Sequence, residues 1–277
     1  MSVDVVIPAD AELGEGPCWD AASDRLLWVD IRRGELHVWD GSEDRVTQVE
    51  APLGAAVPTS DGDVLLAFAD RLALLSGETL ATIPHGAHMR LNDGACDPDG
   101  RFWVGSMRLD ETKGRDAALY RYDGALHEVF GGVSLSNGIG WSPDRSRMYY
   151  IDTLTRAVDV FDYDGEPADR RTFARIESDA GFPDGLTVDD EGGVWVALWS
   201  GSALRRYGPD GSLDRVLEVP ALNVTSCCFG GADGRALFIT TAAPDGRVFV
   251  ADPGVSGPPA QPFRRTAPSD AGPTSAR

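Results

Sequence analysis

Two carboxylates and an amide at matching places in a repeating pattern can hold a doubly charged cation. In this chain Glu15, Asp93, Asn137 and Asp184 each stand directly before a glycine (Gly16, Gly94, Gly138, Gly185) that opens a short apolar strand. If the repeating units are related by rotation about an axis, equivalent positions point at that axis, and oxygen ligands far apart in sequence converge there. Glu15, Asn137 and Asp184 supply two formal negative charges and one neutral oxygen. That is a hard set, suited to Ca²⁺, Mg²⁺ or Mn²⁺ rather than to a structural zinc. Hard ligands discriminate weakly, so Fe²⁺ and Zn²⁺ stay among the candidates for a single divalent cation. Asp93 reads instead as a residue that fixes its turn or supports Arg90. His37, His85, His88 and His127 lack metal-ligand spacing. Asp-Gly and Asn-Gly are also common turn dipeptides. Ordinary hairpin pairs such as Asp164-Gly165 and Asp210-Gly211, however, fall late in their units, and Glu15, a poor turn residue, shares the early position.

The elements that must position these groups are strands. The pattern Asp-x-x-Gly-x-apolar-aromatic-apolar recurs from Asp20, Asp61, Asp97, Asp144, Asp189 and Asp233, with Trp28, Leu65, Trp103, Tyr149, Trp195 and Leu237 at the centre of the strand that follows. A spacing of about 37 to 46 residues is that of a four-stranded propeller blade. Six units with no convincing amphipathic helix predict an all-β, six-bladed propeller. In the fourth unit the strands are predicted at 138–141, 147–152, 157–162 and, more weakly, 171–173. Val3 to Ile7 alternates like an edge strand and is predicted to complete the sixth blade beside Arg247 to Val250, so that both termini close the ring. Residues 1–264 read as one domain and 265–277 as a disordered tail. Trp19, Trp28, Trp103, Trp141 and Trp195 occupy repeat positions and are predicted as core between blades. Phe182 and Trp199 sit nearer the expected channel mouth, as pocket lining.

Composition narrows the partners. With 44 acidic against 25 basic residues the chain carries a formal charge of −19, which repels nucleic acid and anionic lipid. No segment approaches the roughly 20 apolar residues of a membrane span. The N-terminus has neither the basic start nor the apolar run of a secretory signal, which predicts a cytoplasmic protein. Of the four cysteines, the adjacent Cys227 and Cys228 point opposite ways on a strand. With Cys18 and Cys96 they are expected to be free thiols filling the core.

Five ordered segments carry a resemblance: Leu13-Gly14-Glu15-Gly16-Pro17-Cys18-Trp19, Arg90-Leu91-Asn92-Asp93-Gly94, Ser136-Asn137-Gly138, Pro183-Asp184-Gly185 and Thr225-Ser226-Cys227-Cys228-Phe229-Gly230-Gly231. They resemble the signature segments of the SMP-30/gluconolactonase/regucalcin family, from about Glu12 to Val250. The resemblance implies a six-bladed propeller with one divalent cation in its channel, held by Glu15, Asn137 and Asp184. It further implies that Arg90 and Asn92 contact substrate, with Asn92 close to the ion. Where regucalcin-like members place a glutamate in the loop after the third blade's second strand, this chain offers Lys113, which is expected to change the hydroxyls that are read. The implied activity is hydrolysis of a sugar lactone such as gluconolactone, xylonolactone or arabinonolactone to the aldonic acid, with Asp184 as general base. The rivals are an esterase or organophosphate hydrolase using the same ion, and a non-catalytic calcium-binding propeller. A monomer or weak dimer is expected.

Overall fold

A computed structural model describes residues 2–110 and 114–265. The strands form six antiparallel four-stranded sheets, each a blade, arranged as a closed ring. The innermost strands are Gly14–Asp20, Ala55–Pro58, Met89–Cys96, Ser136–Trp141, Phe182–Val188 and Asn223–Gly230. Each touches the innermost strand of the next blade, and the sixth returns to the first. The fourth blade has its strands at Ser136–Trp141, Arg147–Asp152, Ala157–Tyr163 and Pro167–Arg175, slightly longer than the sequence pattern predicts. The ring closes through both termini as expected. Asp4–Ile7 is the outermost strand of blade 6, with Asp4 opposite Val250 and Val5 opposite Phe249. One short 3₁₀ turn, Thr153–Thr155, was not foreseen.

The repeat pattern has a physical cause. Trp28, Leu65, Trp103, Tyr149, Trp195 and Leu237 are all buried, each in the second strand of its blade, where both faces are covered by neighbouring blades. The recurring Asp ends the innermost strand and ties the turn that follows. Asp189 shows how: it accepts from the backbone N–H of Glu191 (3.0 Å) and Gly193 (2.7 Å), from Trp195 Nε1 (2.8 Å) and from Arg206 Nε (2.7 Å). Asp97 holds still more: the N–H of Asp99 (2.9 Å) and Arg101 (3.0 Å), Arg101 Nε (2.7 Å), the indole of Trp103 (2.8 Å) and the hydroxyl of Tyr163 (2.8 Å). One carboxylate therefore joins the turn to the aromatic core, which is why Asp and the aromatic residue recur together.

All four cysteines are buried and free, and Cys227 and Cys228 belong to different core clusters, as their opposite facing requires. The tryptophans at repeat positions lie in or against the core clusters. No helix among the described residues is long and apolar enough to cross a membrane.

Beyond the last strand the chain stays ordered through Arg265. Ser256 bonds Asp190 of blade 5, Phe263 pairs by backbone with Pro58 and Ser60 of blade 2, and the N–H of Arg264 donates to Gly100 of blade 3. Arg265 forms ion pairs with Asp61 (2.9 Å) and Glu78 (2.8 Å). Between these anchors Pro258 to Gln261 line one end of the central channel, a cavity of about 350 Å³. These contacts are made at the turns that end the innermost strands, opposite the end where those strands begin. The segment is thus a strap across one mouth of the channel. Of the tail expected from 265 to 277, Arg265 is anchored by these ion pairs, and residues 266–277 lie outside the described residues.

Candidate active site

At the other mouth, the starts of the innermost strands bring together the side chains singled out from the sequence. Glu15, Arg90, Asn92, Asn137 and Asp184 line one pocket of about 220 Å³, and each is at most 7% exposed. Lys113, the remaining candidate, lies outside the described residues. Phe182 and Trp199 wall the pocket as expected, with Leu154. No histidine lines it: His37 stacks on Trp28 at 3.6 Å and bonds Asp44, and exposed His88 pairs with Asp116.

The glycines that follow these residues account for little of their inward turn. The structure assigns it mainly to bulges. Pairing between first and second strands slips between Glu15 and Cys18, between Leu91 and Gly94, between Ser136 and Ile139, and between Pro183 and Leu186. A bulge leaves residues unpaired and re-aims their side chains, which here turns Asn92, Asn137 and Asp184 toward the axis. Of the four glycines only Gly16 has a positive φ, +54°. Gly138 answers to crowding instead, because a Cβ there would lie 2.7 Å from the backbone nitrogen of Leu186 and 2.9 Å from the Asp184 carbonyl oxygen. The glycine lets blades 4 and 5 approach where Asn137 and Asp184 meet.

Hydrogen bonds fix the orientation of each group. Asn137 Nδ2 donates to Asp184 Oδ1 and to Thr153 Oγ1 (3.1 Å), the latter supplied by the 3₁₀ turn. This leaves Asn137 Oδ1 buried with no hydrogen-bond partner. Asn92 donates through Nδ2 to the Ser136 carbonyl (2.8 Å), while its Oδ1 accepts from Arg90 Nη1 (2.7 Å). Asn92 therefore holds the guanidinium of Arg90 in the pocket.

Electrostatics point the same way. Burial, then the charge of Asp93, hold the Asp184 carboxyl well above the usual carboxylate range, against the Asn137 amide and Arg90, which lower it. Burial, Asp184 and Asp93 do the same to Glu15. Asp93, lining the channel just below, is pushed up to about 6 by burial, partly offset by the N–H of Gly94. Converging buried carboxylates that disfavour one another's ionisation want a positive charge between them. Among the described residues, no group of three or more His, Cys, Asp and Glu side chains is arranged to hold a metal. Two carboxylates and a spare amide oxygen nonetheless form a donor set that suits a hard dication, and the unpartnered Oδ1 of Asn137 is the atom that such an ion would satisfy.

Residues 13–243 match the SMP-30/Gluconolactonase/LRE-like region. The chain belongs to that family. It is 37% identical over 256 residues to regucalcin of Danio rerio and 38% identical over 256 residues to a putative sugar lactone lactonase of Bacillus subtilis (strain 168), covering 87% of each chain in both comparisons. Among solved structures it resembles a calcium-binding protein, regucalcin, of Agrobacterium tumefaciens str. C58, with a TM-score of 0.90 at 28% identity over 95% of this chain and 98% of that one.

Arg32 and Thr153 were missed in the sequence. Arg32 lines the pocket from the loop between the second and third strands of blade 1, the loop equivalent to the one that carries Lys113 in blade 3. That equivalence was the signal available.

Proposed function

We propose that the protein hydrolyses sugar lactones, five- or six-carbon aldonolactones such as gluconolactone, xylonolactone or arabinonolactone, with one divalent cation held by Glu15, Asn137 and Asp184. The observation that carries the reading is the buried, unpartnered Asn137 Oδ1 in the same small pocket as two buried carboxylates and a buried arginine. Membership of a family whose relatives include a putative sugar lactone lactonase supports the choice of substrate. A bound dication would supply Lewis acidity at the lactone carbonyl and a more acidic water.

The chain's own residues supply the rest. Asp184 takes a proton from the attacking water as its oxygen bonds to the carbonyl carbon, and returns a proton to the ring oxygen when the ring C–O bond breaks. The product is the open-chain aldonic acid. Arg90, held by Asn92, donates to the carbonyl oxygen as negative charge builds there. Phe182, Trp199 and Leu154 give the sugar ring an apolar wall. With the strap across the far mouth, the open end of the channel is the route for substrate.

A pH-indicator assay on a panel of aldonolactones tests this. Metal-stripped protein should be inactive and recover when Ca²⁺, Mg²⁺, Mn²⁺, Zn²⁺ or Fe²⁺ is added back. Arg90→Ala should lower kcat by about 10²–10³-fold, the usual cost of losing an oxyanion donor. Absence of turnover on every lactone with every ion would refute the proposal. The calcium-binding rival would be selected if the ion still raised the melting temperature.

A further inference from the structure

A second guanidinium stands at the mouth of the pocket. Arg32 is exposed, yet its side chain lines the same space as Glu15, Arg90 and Asp184. Its loop is firmly set, because the fully buried Asp30 carboxylate accepts from the backbone N–H of Glu12 (2.7 Å), Leu13 (3.2 Å), Arg32 (3.2 Å) and Arg33 (3.3 Å). Behind one wall of the pocket, the Arg156 guanidinium carbon lies 3.7 Å from the centre of the Phe182 ring, and Nη1 donates to the Gly181 carbonyl (2.6 Å). Arg32 and Arg156 thus bring positive charge to the pocket and its wall in a chain whose formal charge is −19.

The charges within the pocket decide what those cations are for. Among the described lining residues there are two carboxylates, Glu15 and Asp184, and two guanidiniums, Arg90 and Arg32. On the lactonase reading, on which this inference rests, both carboxylates are committed to the cation and Arg90 to the lactone carbonyl. Arg32, exposed where Glu15, Arg90 and Asp184 are buried, is then left for the part of the substrate nearest solvent. A neutral aldonolactone offers it only hydroxyls. A carboxylate at that end would offer the planar, two-oxygen acceptor that a guanidinium fork fits best. Arg32 already engages neighbours in the protein, so a substrate carboxylate competes for its donors rather than finding them idle. The chain's overall negative charge gives an anion no general attraction. Selection must act at short range, within the screening length of about 10 Å at ordinary ionic strength, and Arg32 and Arg90 line the pocket itself.

We infer that Arg32 is a specificity residue that reads a carboxylate distal to the lactone, and that the preferred substrate class is the monolactone of a sugar diacid.

The experiment compares ligands that differ only at that end. By calorimetry on the cation-loaded protein, a six-carbon aldarate should bind at least about tenfold more tightly than the matching aldonate, and Arg32→Ala should bring the two within about twofold. Arg32→Lys should retain an intermediate preference, and Arg32→Glu should reverse it. In turnover, the ratio of kcat/KM for the diacid lactone to that for the neutral lactone should fall about tenfold or more in Arg32→Ala. Equal binding of the two anions by the wild type, or a preference that Arg32→Ala leaves in place, overturns the inference. Neutral lactones turned over with no diacid preference would sink this inference alone. An Arg32-dependent diacid preference in a protein that opens no lactone would support the anion site and sink the lactonase reading.

Discussion

Asp184→Asn is expected to abolish lactone turnover and, at the same time, to make the cation-free protein more stable. The side chain combines two roles, cation ligand and proton acceptor, and loss of a general base alone costs about 10²–10⁴ in rate. The stability effect follows from its surroundings. Burial and the charge of Asp93 raise the folded-state pKa of Asp184 above the value it has in the unfolded chain. The folded protein therefore binds this proton more tightly. The penalty is fully present at pH values above the raised pKa, shrinks as pH falls through it, and disappears below the ordinary carboxylate value. At neutral pH the amide removes the penalty, and each 1 kcal/mol gained should raise Tm by roughly 2–4 °C in a domain of this size. Melting curves of stripped wild type and variant from pH 7 to pH 4 should show a gap that closes on acidification. A variant less stable than wild type at pH 7 without cation would contradict the account, since Asp184 would then be a structural anchor.

Asp189→Ala is expected to be among the most destabilising single changes outside the pocket. The carboxylate is fully buried and satisfies two backbone N–H groups, the Trp195 indole and Arg206 Nε. Arg206 keeps Glu191 (2.9 Å) and Asp214 (2.8 Å), but the indole and the two amides are left without an acceptor inside the blade. Removing one side of a buried charged network costs about 3–5 kcal/mol, which corresponds to a fall in Tm on the order of 10 °C. Chemical denaturation measures it directly. Asp189→Asn, which keeps one acceptor oxygen, should recover part of the loss. A cost below roughly 1 kcal/mol, within the range of an ordinary surface ion pair, would show that the repeated Asp is a turn former and no more.

How legible each feature was depends on the range of the interaction behind it. The repeating Asp and aromatic residue could be read because Asp97 with Trp103, and Asp189 with Trp195, interact within six residues along the chain. The closing strand could be read from its alternation alone. The bulges that aim Asn92, Asn137 and Asp184 were invisible, since they exist only in the register between two strands; only the glycines beside them were legible. The strap was hidden by its composition. Its order comes from backbone hydrogen bonds to Pro58 and Gly100 and from one buried aromatic, Phe263, none of which a Pro- and Gly-rich segment advertises. Arg32 escaped because the loop between second and third strands differs in length and content from blade to blade, and chemistry there has no fixed phase.

The central claim is that Glu15, Asn137 and Asp184 hold one cation, and calorimetric titration of stripped protein with each divalent ion in turn tests it most directly. The account predicts one equivalent bound per chain by at least one of these ions, with binding lost in Asn137→Ala and in Glu15→Gln. No binding of any ion, or binding that survives both substitutions, would contradict it.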